Sequence, residues 1–129
     1  MCDFSCAHRT DAAGVVSLSR PCGTDRYMAP EMWTSWTRWK SRREAGEDPE
    51  EMGDFPRLNG FKLDSWSAGT LLHLLLYGRY PYDLERTTLS QAALESSDDA
   101  KHLLSHLLQE DEARRFTVSQ ALASDWFNQ

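Results

Sequence analysis

The sequence predicts a mainly α-helical fold, and three observations carry that reading. In residues 64–78, DSWSAGTLLHLLLYG, the side chains Leu71, Leu72, Leu74, Leu75, Leu76 and Tyr77 run right round a helical cylinder. A surface helix shows a stripe, so this pattern reads as a helix buried on nearly all sides. Ala100, Leu103, Leu104, Leu107 and Leu108 follow the three-and-four spacing of an amphipathic helix. Thr88 with Gln91, Ser96 with Asp99 and Thr117 with Gln120 have the spacing of helix-starting capping boxes.

Length and composition bound the rest. The 129 residues are one domain's worth. A net charge of −6 argues against non-specific nucleic-acid binding and favours basic partners or substrates. Three cysteines, an odd number, make no disulfide framework and point to a reducing, intracellular and cytoplasmic setting. The sequence shows no signal peptide or transmembrane run, so no membrane role is expected. Cys2, Cys6, His8 and Cys22 lack paired CxxC spacing and read as unligated.

Taken in order, MCDFSCAHR has no helix period, and its Asp3-Phe4-Ser5 falls where most domains fray. Residues 10–21, rich in Ser, Ala and Gly, read as a loop. The segment GTDRYMAPE, residues 23–31, is dense with turn-forming and polar groups. Trp33, Trp36 and Trp39 recur every three residues and could share one helical face. A basic run, residues 38–43, precedes an acidic one, residues 44–51. The plain reading is a short helix over the domain followed by a mobile acidic loop. The sharper one is a protein-docking surface formed by the three tryptophans.

In the central helix Asp64 is placed to cap the first turn, Gly78 to supply the left-handed residue that ends it, and Pro81 to prevent resumption. His102 and His106 stand four apart, but no glutamate follows His102 and their face is polar, so metal binding is not expected. Val118, Ala121, Leu122 and Trp126 are the expected buried side of the last helix.

CDFS, GTDRYMAPE, DSWSAG, GRYPYD and ARRFT, in that order, resemble the eukaryotic protein kinase family over essentially the whole chain. The GT-xx-YMAPE form is similar to serine/threonine kinases, and the late helices resemble the calmodulin-dependent-kinase-like branch. The resemblance implies the C-terminal, large-lobe portion of a protein-kinase-like fold, lacking the N-terminal β lobe. It divides the chain into an activation segment 3–31, an inserted link 32–63, a buried central helix 64–78 and C-terminal helices 87–127.

The same resemblance assigns roles. Asp3 matches the aspartate that holds magnesium against the ATP phosphates, and Phe4 the phenylalanine that packs behind it. Ser5 stands where the family has glycine, which restricts positive φ and so the switching of this turn. Thr24 matches a substrate-docking threonine. Ser17 and Ser19 lie where activation-loop phosphorylation would occur, or are solvated hydroxyls; phosphate there matters if arginines face it. Arg115 matches the arginine that pairs with the APE glutamate, here Glu31. Asp64 matches an aspartate that reaches the backbone of the catalytic loop.

That catalytic loop, the glycine-rich loop and the strand lysine have no counterpart in this sequence. No catalytic residue can be assigned. The implied function is a fragment of a serine/threonine protein kinase whose complete parent uses ATP and magnesium on protein substrates, with no cofactor expected on this chain alone. The alternative is a non-catalytic binding module of kinase descent.

Overall fold

The computed structural model describes residues 4–48, 51, 53, 55–82 and 97–128. The fold is mainly α, as expected. Among the described residues the order is β1 (Val15–Ser17), a 3-10 turn (Asp25–Tyr27), α1 (Pro30–Glu44), β2 (Arg57–Asn59), α2 (Gly60–Tyr77), α3 (Asp98–Leu107), α4 (Val118–Leu122) and a second 3-10 turn (Asp125–Phe127). The expected pair Thr88 and Gln91 lies outside the described residues, as do Asp3, Cys2 and Ser96.

The strands pair antiparallel, with Val16 opposite Leu58, inside a segment that reads as loop. Three-residue strands are too short to show alternation. They close the chain around α1, which starts with Pro30 at its first position and ends in a reciprocal carbonyl cap. There the Gly46 N–H donates to Arg43 and the Glu47 N–H to Arg42, at 3.1 and 3.0 Å, with Gly46 at a φ of 81°. The turn brings the acidic run back along the basic one: Arg42 meets Glu47 at 3.6 Å and Arg43 meets Asp48 at 3.4 Å.

Trp33, Trp36 and Trp39 do share a face of α1, but that face is half-buried. Trp33 and Trp36 pack against the cluster of Val16, Leu18, Met28, Met32 and Leu58. Trp39 stacks on Trp36 at 5.6 Å, with the Arg20 and Arg43 guanidiniums 5.6 and 5.7 Å from its ring. The expected three-tryptophan docking surface is therefore overturned: the spacing that aligns these rings turns them inward, where they cover the strand pair.

α2 begins four residues earlier than the sequence indicated. Asn59 caps it, its Oδ1 accepting from the Lys62 N–H at 3.2 Å, so Asp64 lies inside the helix and is not its cap. Gly78 ends it as expected, with a φ of 66° and its N–H on the Leu74 carbonyl at 2.8 Å. Burial on nearly all sides is not what is found. The buried side is Trp66, Gly69, Thr70 and His73, while Leu71 and Leu75 are 47% and 74% exposed. Trp66, Gly69, Thr70 and His73 follow three-and-four spacing along one face, and an unbroken leucine run gives no sign of which face that is.

α3 is capped by Ser97, whose side chain accepts from the Ala100 N–H, one residue later than the Ser96 start expected. Its Leu103 and Leu107 form a second cluster with Ala121, against which Leu72, Phe116 and Trp126 pack. Gly69 permits this: a Cβ there would lie 2.8 Å from Leu107 Cβ. The Thr117–Gln120 capping box is present in both directions. α4 has only five residues, so Val118 and Leu122 are exposed and Ala121 alone is its buried residue.

Candidate functional site

Arg115 is buried, and all of its guanidinium donors are bonded. It follows α3 and precedes the α4 cap, and its side chain is 0% exposed. Its Nη1 and Nη2 donate to Glu31 Oε1 and Oε2 at 2.6 and 3.0 Å, a bidentate pair. Nη1 also donates to the Lys62 carbonyl at 3.0 Å, Nη2 to Glu110 at 3.4 Å, and Nε to Gln109 at 2.9 Å. Every N–H of the guanidinium thus has an acceptor. The group lies 5.0 Å over the Trp66 ring, and the Lys62 ammonium donates to the Arg115 carbonyl. Three parts of the chain converge here: the start of α1, the first two turns of α2 with the buried Trp66, and the α3–α4 link.

A cleft of about 550 Å³ opens on the other side of α2, between Phe4–Thr10, the segment 22–29 and the first turns of α2. The 3-10 turn is tied to α2 by the Ser67 hydroxyl, which donates to the Tyr27 carbonyl at 2.9 Å. Asp64 lines the cleft. Desolvation at the cleft wall raises its carboxyl above the usual aspartate range, and among the described residues nothing donates a hydrogen bond to it. Phe4 also lines the cleft and is 65% exposed. Thr24 is exposed at the head of the 3-10 turn, its carbonyl accepting from the Tyr27 N–H at 2.9 Å.

Ser17 is exposed in β1 opposite Arg57. Ser19 lies in a separate, smaller cavity of about 130 Å³, whose wall includes Arg38, Trp39 and Arg42. The sequence held a signal for this: Arg38 and Arg42 stand four apart and so share a face of α1. Nothing in it pointed to Lys62 or Asn59, whose roles depend on where α2 starts.

Asp3, the expected magnesium ligand, lies outside the described residues. Among the described residues no three His, Cys, Asp or Glu side chains gather to hold a metal ion. His102 and His106 lie 4.3 Å apart ring to ring, with His106 stacked on Phe116 at 4.2 Å. Their geometry is that of an aromatic contact. Among the described residues no helix is long and apolar enough to cross a membrane.

Against known proteins, residues 1–127 match the protein kinase domain. The chain belongs to the protein kinase domain family. Within that family it is similar to the meiosis-specific serine/threonine-protein kinase mek1 of Schizosaccharomyces pombe, 33% identical over 116 residues, covering 85% of this chain and 24% of that protein. It is also similar to the probable serine/threonine-protein kinase fhkC of Dictyostelium discoideum, 31% identical over 119 residues, covering 82% of this chain and 17% of that protein. Smooth muscle myosin light chain kinase of Gallus gallus is 29% identical over 137 residues, covering 96% of this chain and 6% of that protein. The chain spans less than a quarter of the length of each of these kinase-family relatives.

Proposed function

We propose that this chain is the C-terminal-lobe portion of a serine/threonine protein kinase, and that it anchors an activation segment for a catalytic segment it does not itself contain. The observation that carries this is the Glu31–Arg115 pair, which fastens the end of GTDRYMAPE to the late helices through a fully bonded, buried guanidinium. Asp64 supports it: a desolvated carboxylate in a cleft, without a donor among the described residues, is arranged to accept backbone N–H groups from a segment seated there. In the complete kinase that segment is the catalytic loop, and the subfamily is the calmodulin-dependent-kinase-like branch. Asp3 is the magnesium ligand and Thr24 the substrate-docking residue of that complete enzyme, which phosphorylates proteins with ATP. Asp3 lies outside the described residues, and no step of the transfer is assigned to the residues that are described.

Phosphoryl transfer is mainly positioning and charge stabilisation, and it requires the nucleotide to be held from both sides. Purified alone, the chain is expected to transfer no label from radiolabelled ATP to a basic protein substrate. An Asp3→Ala variant serves as the control for contaminating kinases. Transfer by the chain that disappears in Asp3→Ala would overturn the reading and require a nucleotide site of another kind.

A further inference from the structure

The proposed kinase role makes no use of the 130 Å³ cavity between residues 18–21, α1 and residues 55–56. One side of it is apolar: Leu18 is 2% exposed, Pro21 is fully buried, and Phe55 and Pro56 stand beside them. The other side comes from α1, where Arg38 and Arg42, one helical turn apart, line the cavity together with Trp39. The Arg20 and Arg43 guanidiniums lie 5.6 and 5.7 Å from the Trp39 ring. Four arginines thus gather about one indole in a chain whose net charge is −6. Glu47 and Asp48 reach Arg42 and Arg43 at 3.6 and 3.4 Å, in partly exposed pairs that water screens and a stronger anion can displace. Two hydroxyls on the wall are already spent, since Thr34 and Ser35 donate to the Pro30 and Glu31 carbonyls, both at 2.9 Å. The Trp39 indole N–H is not spent: it is a buried donor with no acceptor among the described residues.

We propose that this cavity is a phosphate site, which takes a phosphate monoester or the free ion between Arg38 and Arg42, with the Trp39 N–H as a further donor. Size favours a single compact group. A nucleotide or drug-sized ligand needs about 300–1,000 Å³, whereas 130 Å³ holds several waters or the one anion that replaces them. Charge and geometry favour phosphate. Each guanidinium offers paired N–H donors that match two phosphate oxygens, and a charge of about −1.5 to −2 outcompetes the single carboxylate of Glu47 for Arg42. Ser19 lines the same cavity, so a phosphate carried by Ser19 itself would fill it and shut out an incoming one.

This inference goes beyond the proposed kinase role, and its test reads no phosphoryl transfer, so either can fail alone. The full chain, labelled with nitrogen-15, is titrated with inorganic phosphate and separately with O-phosphoserine, at constant pH and with ionic strength held by sodium chloride. The five indole N–H signals are followed by NMR, and Trp39→Phe assigns the one that matters. The expected result is a saturating shift of the Trp39 signal, weakened about tenfold or more in Arg38→Gln with Arg42→Gln and absent from a chain phosphorylated at Ser19. Tighter binding of O-phosphoserine would assign the site to an organic monoester, and equal binding to the free ion. A shift that never saturates would overturn the proposal and mark an adventitious ion only. So would saturation that persists unchanged in the double arginine variant while its other indole signals stay in place, or in the chain phosphorylated at Ser19.

Discussion

Glu31 and Arg115 are joined by two charge-assisted hydrogen bonds, 2.6 and 3.0 Å long, across 84 residues of chain. A guanidinium this buried is stable only because each of its donors is matched, so removing the partner or the fork leaves an uncompensated group. Arg115→Ala should cost about 3–5 kcal/mol of stability, since it strands Glu31 and three backbone carbonyls. Arg115→Lys should lose much of the same, because an ammonium cannot reproduce the planar fork. Urea melts of the three proteins check this. Unchanged midpoints would mean that the pair does not form in solution.

Gly69 holds α2 against α3. Adding a methyl there meets Leu107 Cβ at 2.8 Å and Leu108 Cδ2 at 3.1 Å, and the first of these is not the free end of a flexible chain. Overpacking of this kind costs about 1–3 kcal/mol. Alanine's better helix propensity returns at most about 1 kcal/mol, so the clash should win. Gly69→Ala is expected to lower the urea midpoint, and a rise would show that the two helices stand further apart.

His73 is 2% exposed, its Nδ1 2.8 Å from the Arg79 carbonyl. Only a neutral ring with its proton on Nδ1 can donate there and stay uncharged inside. Burial lowers its pKa below the ordinary 6.5. The folded state thus resists protonation more than the unfolded chain does. Its contribution is present above pH 6.5 and lost as pH falls from 6.5 towards the lower folded value. Melting temperatures measured down that range should fall more steeply for the native chain than for His73→Gln. Parallel slopes would place the acid sensitivity elsewhere.

Phosphate on Ser19 and on Ser17 should act differently. Ser19 shares its cavity with Arg38 and Arg42, whereas Ser17 stands exposed in β1 opposite Arg57. Phosphoserine at 19 should stabilise the chain by about 1 kcal/mol, as new charge-assisted bonds join residues 18–21 to α1. Arg38→Gln with Arg42→Gln should abolish the gain. Thermal melts of chains carrying phosphoserine at either position check it, and equal effects at both would show that Arg38 and Arg42 do not receive the phosphate.

What the sequence made legible was local chemistry and matched motifs. Gly78 and the Thr117–Gln120 box announce themselves because the residue needed is next to the group it satisfies. Glu31 and Arg115 were legible only through family resemblance, since nothing in composition links residues that far apart. The direction of α2 was not legible: a continuous leucine run hides its inner face, which the structure assigns to Trp66, Gly69, Thr70 and His73. Asn59 was not singled out at all, because Asp64 offered a cap of the same kind five residues later. The tryptophans of α1 were placed on one face correctly, but periodicity cannot say whether a face looks in or out.

If this chain is the C-terminal-lobe portion of a serine/threonine kinase, as proposed, it should work in place of a relative's own segment. The most direct measurement replaces the matched segment of the kinase domain of Schizosaccharomyces pombe mek1 with this chain and follows label transfer from ATP to protein serine or threonine. Transfer above background is expected, lost on Asp3→Ala and sharply reduced on Arg115→Ala. A chimera that melts cooperatively yet transfers nothing would contradict it.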